Sequence, residues 1–531
     1  MDDLGGDDDL AVETVASPRR HGRRRRRFVQ VLLVVSGIVL LLAALVWTQR
    51  RPIADNIVRR ELEKRGVAAR YRVAEIGLGR QRLVDVVIGD PRAPDLIADW
   101  IEVDTSVSLN GATVTGARVG QARLRATLRS DGTVSFGQID RLLPPPSGKP
   151  FALPDFDVAV DDGRIRLATP YGLIGAKLAG RGNLADGFTG QLAAVSERLS
   201  LNGCGIERLA ANLSLRTART GPALAGPIRA RAAACGDVRV MRPVVDAGAT
   251  LSPGFDRWRG TARIQAERIA APQTRVAALA GTIGFDGGAR GTAGTLDLAS
   301  RAFALPQLAG DGLSIAGRYA IGGTPAFEGR VGARGARLDA ATLARIVGIG
   351  KGAAGTPVAL LATAAAQAAA RAARRFDVTA EVAARPFAAR IDRLAFVAAS
   401  GARATLRDGP VRWVSGKGVA LNGTLATGGG GLPSASIRLA QAAPGQPVTG
   451  TATMQPYAAG DARLALAPVR FRTAADGTTA IRTRVELSGP FSGGRVDRLA
   501  LPIDARWDGG GGCWSTAAAC RPPSTGCAYR R

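Results

Sequence analysis

The sequence predicts a mainly β protein: an elongated antiparallel sheet with one helical insertion, tethered by a single N-terminal transmembrane helix. Three observations carry this. One apolar run of bilayer length stands near the N-terminus, period-two alternation recurs over most of the remaining chain, and large core-forming side chains are scarce. Gly supplies 68 of 531 residues and aromatics only 5%. A compact core gains much of its buried area from Phe, Tyr and Trp, whereas a thin sheet manages with small and β-branched residues. A chain this long would otherwise divide into several ordinary domains.

The first 27 residues combine an acidic start (Asp2, Asp3, Asp7 to Asp9) with Arg19, Arg20 and Arg23 to Arg27, and read as a disordered cytoplasmic tail. Residues 28–47, FVQVLLVVSGIVLLLAALVW, have only Gln30 and Ser36 as polar members. Twenty helical residues span ~30 Å, the hydrocarbon thickness of a bilayer. A cleavable signal peptide would have a shorter apolar stretch leading into a small-x-small site; Leu45-Val46-Trp47 is a poor one, so an uncleaved anchor is expected. The flanking Arg excess keeps the N-terminus cytoplasmic and places the bulk outside.

Beyond the anchor, Pro52 to Arg65 carries Ile53, Ile57, Val58 and Leu62 at helical spacing and stops at Gly66. From there to about residue 335 the period is two. Leu209, Ala211, Leu213 and Leu215 alternate with Arg208, Asn212, Ser214 and Arg216, and the pattern returns at Ala262, Ile264 and Ala266, at Leu296 and Leu298, and at Leu313, Ile315, Tyr319 and Ile321. It reappears at Ile481 to Leu487 and Leu499 to Trp507. Asp131-Gly132, Asp162-Gly163, Asp408-Gly409 and Asp476-Gly477 read as turns between strands, and the connections as a meander. A helical interruption is expected near 338–375, the second helix capped by Thr356-Pro357. Leu143 to Pro154, with Pro144-Pro145-Pro146, is an extended connector and divides a 48–143 unit from a 155–510 unit. Gly428 to Gly431 is a loop.

The formal charge is +27, yet the basic residues are dispersed, and only five of the 71 are Lys, so no nucleic-acid partner is expected. A diffuse positive field favours anionic surfaces such as phospholipid head groups. The single His, His21, lies in the tail, which leaves the outer region without imidazole for base chemistry or metal ligation. No nucleophile elbow occurs, and Gly350-Lys351-Gly352 lacks the spacing of a phosphate-binding loop. Adjacent Asp161 and Asp162 would point to opposite faces of a strand and do not make a glycosidase pair. The expectation is a protein that is not an enzyme and holds neither cofactor nor metal. In an oxidising compartment Cys204 and Cys235 could clip neighbouring strands; the other reading is two small buried thiols. Cys513, Cys520 and Cys527 crowd the segment 511–531, where the strand pattern stops, and suggest an altered reading frame or a disulfide-bearing tail.

The segment Ile101 to Leu143 resembles the N-terminal part of the AsmA-like family, through the phrase formed by Asp131, Gly132, Ser135, Phe136, Gly137, Asp140 and Leu142. With the helix of residues 51 to 62 and Val84, Val87, Gly89, Asp90 and Pro91, the chain is most similar to the YdbH branch, whose members carry a dicarboxylate transport domain label and are typically longer. The resemblance, which extends to TamB and YhdP, implies an antiparallel sheet curled into a groove that carries phospholipids between inner and outer membranes. At roughly 14 residues per strand, ~460 residues give about 33 strands and a groove of ~160 Å at most. Expected lining residues are Leu209, Leu213, Leu215, Ile264, Leu296, Leu298, Leu313 and Ile315. The partners are then phospholipids, the inner membrane and an outer-membrane or periplasmic protein. Competing readings are a side-chain-filled solenoid, an envelope scaffold that binds partners by its sheet edges, and dicarboxylate transport, for which one membrane helix offers no alternating-access path.

Overall fold

The computed structural model describes residues 59–60, 62–77, 79–108, 111–142, 153–201, 203–474, 477–507 and 513–515. The Arg-rich tail and the apolar run 28–47 lie outside the described residues, as do 143–152 of the connector and all of 511–531 except Cys513–Ser515. No helix among the described residues is long and apolar enough to cross a membrane. Of the helix expected over 52–65, residues 59–60 and 62–65 are described, and they are helical as far as 64. It ends at Gly66, whose φ of 64° lets the N–H groups of Gly66 and Val67 turn back to the carbonyls of Glu63 and Leu62.

The strands among the described residues join into one 35-stranded sheet. Pairing is antiparallel with one exception to the expected meander. Gly116–Gly120 runs parallel to Asp157–Asp161, and Arg123–Thr127 parallel to Arg164–Ala168. A parallel pair needs a crossover, and the chain after Leu128, with its 3-10 turn at Gly137–Leu142 and the connector, provides it.

Many hairpins are kinked in both arms. Cys204–Ala218 pairs with Gly221–Arg229 and also with Ala232–Cys235. These return as Val238–Met241 and Val244–Leu251, and both of those pair with Arg257–Ala271. Register is unchanged across the interruption, so each couple is one long strand with a kink. The kinks fall side by side on successive strands. Arg208, Arg242, Ala278 and Gly335 have φ of 48°, 47°, 50° and 56°, a left-handed conformation that turns a strand sharply. At this line the alternation of shielded and open positions slips by one. In Arg257–Ala271 residues 258, 260, 262, 264 and 266 are shielded, and shielding then resumes at 269. The slip keeps apolar side chains on the same side of the sheet beyond the crease.

Two expected turns are such kinks instead. Asp162, φ 54°, lies inside the strand Asp157–Thr169, and Asp408, φ 63°, joins Arg403–Arg407 to Val411–Val414, both of which pair with Ala388–Ala398. Asp and Gly accept the left-handed region whether or not the chain reverses, so the dipeptide alone does not separate the cases. Asp131-Gly132 is a true turn, with Gly132 N–H donating to the Arg129 carbonyl at 3.0 Å.

The helical insertion comprises α1 (Ala340–Lys351) and α2 (Ala359–Arg374). It leaves the sheet between Ala326–Leu338 and Phe376–Arg385, which pair directly with each other. Asp339 caps α1 by accepting from Thr342 N at 2.6 Å. The expected Thr356 cap of α2 is absent: its hydroxyl donates to the Ala353 carbonyl at 2.6 Å within the interhelical turn, and Val358 occupies the cap position without a side-chain bond. Leu361, Ala366, Ala368, Ala370, Ala372 and Ala373 form the buried face of α2. Its small residues let the helix lie close on the strand ends, where Ala372 packs with Ala398, Ala402, Phe376, Phe396 and Leu432. Elsewhere the buried hydrophobic residues are mostly Ala, and among the described residues no large side chain is fully buried.

Candidate functional site

Residues directly opposite each other on neighbouring strands share a face, so a row of such partners traces one side of the sheet. Starting at the first strand, Ala69 faces Ile88, Ile88 faces Leu96, Leu96 faces Leu124 and Leu124 faces Ile165. The row continues through Ala176, Ala194, Ala211, Ile228, Val245 and Ile264. It runs on through Gly281, Leu298, Ile315, Val331, Ala380 and Leu394, then Leu406, Leu425, Ile437, Ala452 and Val469. No member is polar. Each is half-buried, shielded by its neighbours in the sheet but neither enclosed nor fully open. Over roughly twenty strand spacings of ~4.8 Å the row is about 100 Å long.

The adjacent rows on this face are apolar too. Leu192, Leu213 and Gly226 form one with Ala247, Ala262, Ile283 and Leu296. Leu215, Leu224, Ala249, Gly260 and Phe285 begin the next, which ends at Ala389, Trp413 and Val419. Across the crease Leu199, Ile206, Ala233, Val240, Ile269, Val276 and Phe303 form a further row. All eight lining candidates lie on this face and are half-buried. Ile264, Leu298 and Ile315 are in the long row, Leu213 and Leu296 in the next, Leu215 beyond it, and Leu209 and Leu313 on the crease side. A concavity of about 490 Å³ opens here, lined by Ile283, Leu296, Ile315, Tyr319, Ile321 and Phe327 among others.

The opposite face is charged. Asp246, Arg263, Thr282 and Asp297 are successive partners next to the long row, and Arg330, Glu381 and Arg393 follow. Cross-strand pairs such as Arg259–Asp286 at 2.8 Å and Arg482–Asp504 at 2.8 Å are largely exposed and add little stability each. They do oppose a one-residue slip, which would carry charge onto the apolar side. A larger depression of about 830 Å³, lined by Arg330, Glu381, Asp392, Arg393 and Arg407 with other residues of these strands, includes polar groups the long row lacks. At the kinks, Arg164 and Lys177 hold Asp162 at 3.1 and 2.8 Å. Hydrogen bonds from Lys177 first, and then Arg164, lower the pKa of its carboxyl.

The family phrase is a clasp. Asp140 accepts from Ser135 Oγ at 2.6 Å and from Phe136 N at 2.8 Å, and the Ser135 bond is the main reason its pKa is lowered. Gln138 N donates to Asp95 at 2.9 Å, while Gln138 Oε1 accepts from Ala68 N at 2.8 Å. Arg141 donates to the carbonyl of Gly66, and Arg65 to that of Arg141. The phrase thus ties the end of the N-terminal helix to the first strands. A family model described as "Intermembrane phospholipid transport protein YdbH" matches residues 38–518. The chain belongs to the YdbH-like family. The match covers the clasp, the helical insertion and the whole long row. No curated protein and no solved structure matches the chain.

Cys204 and Cys235 are direct cross-strand partners at a hairpin rim, bonded at 2.11 Å. The row carries no sequence signal at Ala176, Ala194 and Gly281, since Ala and Gly take either face. Leu394, Leu406, Leu425 and Ile437 were legible in principle: Arg403 to Arg407 alternates strictly, but Asp408-Gly409-Pro410 imitates a turn and shortens the apparent strand.

Proposed function

We propose that the long apolar row is the floor of a curled groove that conducts phospholipids, with acyl chains along the row and head groups in water. The carrying observation is the continuity of that row. A side-chain-filled solenoid would bury these Leu and Ile residues, whereas here they keep open surface for a ligand while the sheet satisfies its own backbone. The family description supports the same cargo. On this reading residues 28–47 anchor the chain in the inner membrane with the N-terminus cytoplasmic, the sheet lies in the periplasm and leads toward the outer membrane, and no catalytic step is involved. The cross-strand disulfide suits an oxidising compartment. Lipid mass spectrometry of the detergent-purified full chain tests the cargo: co-purified phospholipid at about one or more molecules per chain is expected, and a lipid-free chain refutes the proposal.

A further inference from the structure

The lane face carries bulky aromatic residues that would obstruct it if they stood upright, and each of several is matched with glycine on a neighbouring strand. Gly260 is the direct partner of Phe285, Gly310 of Phe303 and Gly450 of Phe471. A methyl group at these glycines would stand 2.4 Å from Phe303 Cε1, 2.2 Å from Phe471 Cζ and 2.7 Å from Phe285 Cζ, but at Gly260 the Gly248 carbonyl oxygen is closer still, at 2.1 Å, and at Gly450 the Arg438 carbonyl oxygen stands 2.7 Å away. The far end of each ring therefore occupies the place of the missing side chain, one strand away from its own Cα. Phe188 does the same over the glycine pair Gly180 and Gly190, at 2.6 and 2.9 Å. Tyr319, partner of Gly294, reaches further and donates its hydroxyl to the Gly284 carbonyl at 3.2 Å.

The rings lie down on the sheet instead of projecting from it. Phe188 and Phe303 are 2% and 4% exposed, although the aliphatic residues of the long row stay half open. Beside Tyr319 the face is concave, not filled. Loss of a side chain within a strand weakens it, and an aromatic laid across the gap restores contact. Bulk Leu at the same positions would restore contact as well, so stability alone does not call for this pairing.

Resting on the lipid-lane reading, we propose that the cross-strand glycine–aromatic couples, Gly310–Phe303 foremost, are specificity determinants that set the clearance above the lane and hence the thickness of ligand it admits. Gly450 and Phe471 stand in the row next to Ala452 and Val469, the last members of the long row, but there the Arg438 carbonyl oxygen excludes a side chain as well as the ring does. A Cβ at Gly310 meets the ring first, its nearest backbone atom being the Arg334 carbonyl oxygen at 3.0 Å. Any side chain there lifts the ring off the sheet and into the path of an acyl chain.

The test uses the full chain with 4-fluorophenylalanine at 303. Fluorine NMR with a dissolved paramagnetic probe reads ring exposure, and mass spectrometry reads co-purified phospholipid. Gly310→Ala should expose the ring and lower phospholipid about fivefold or more, with circular dichroism unchanged. The double Gly310→Ala/Phe303→Leu should return lipid to within about twofold of the parent. An exposed ring with undiminished lipid overturns the proposal, as does a ring that stays down or a folded double that is not rescued. A parent chain without phospholipid removes the lane reading and this proposal with it, a result distinct from those three.

Discussion

Leu298 and Asp297 are neighbours in one strand with opposite faces, and they isolate the role of the lane. Leu298 lies between Gly281 and Ile315 in the long row, and Asp297 between Thr282 and Ala316 on the charged face. Complete burial of a Leu side chain is worth ~1.5–3 kcal/mol. Leu298 is half-buried in the empty sheet, so about 1 kcal/mol of that remains for a ligand to realise. Leu298→Ala should then weaken lipid retention about fivefold. Leu298→Arg also places a charge where the proposed groove would hold an acyl chain, and stripping water from it costs several kcal/mol, a loss of about 100-fold or more. The cost to the fold is near 1 kcal/mol, because the long stem can lift the guanidinium into water. The assay is phospholipid per chain by mass spectrometry, beside thermal unfolding. Asp297→Arg should leave lipid within about twofold of the parent. Equal loss from both Arg variants, or none from Leu298→Arg, would refute the reasoning.

The clasp, the disulfide and the capped helix carry further expectations. Asp140→Asn weakens bonds to Ser135 and Phe136 and should cost about 1–2 kcal/mol, seen as earlier proteolysis near residues 62–68. Asp131, Asp140, Asp162 and Asp339 all have lowered pKa values, each chiefly through a side-chain hydrogen bond. A depressed carboxyl adds stability that is complete above its unfolded value and lost as pH falls through the folded one. The melting temperature should therefore be flat from neutrality to about pH 5 and drop below about pH 4; a drop beginning near pH 6 would point elsewhere. Reducing Cys204–Cys235 opens a loop of 31-residue separation and should cost about 3–4 kcal/mol in the chain-entropy account, read as greater hydrogen exchange over 199–206 and 232–241. Asp339→Ala should cost about 1 kcal/mol locally, read as faster amide exchange in α1 without change in the sheet.

The lane was legible where the chemistry of the two faces differs most. Ile264 between Arg263 and Gln265, or Leu298 between Asp297 and Ala299, can take only one orientation on a half-solvated sheet. It was illegible at Ala176 and Ala194, whose small side chains cost little on either face. The creases were hidden for another reason. At Glu267 and Arg268 two polar residues in a row look like the end of a strand, while in the fold the pairing continues through them and only the alternation slips. The parallel pairing near Asp157 depends on contacts distant in sequence, which no local pattern encodes. The cap at Val358 depends on the competing bond of Thr356 to Ala353.

The lane itself is tested most directly by a photo-crosslinking amino acid placed singly at 296, 297 and 298 and at 314, 315 and 316 of the full chain in cells. Illumination and then mass spectrometry should find phospholipid adducts at 296, 298 and 315, with none at 297, 314 and 316. Adducts without this alternation, or their absence from all six positions, would contradict the account.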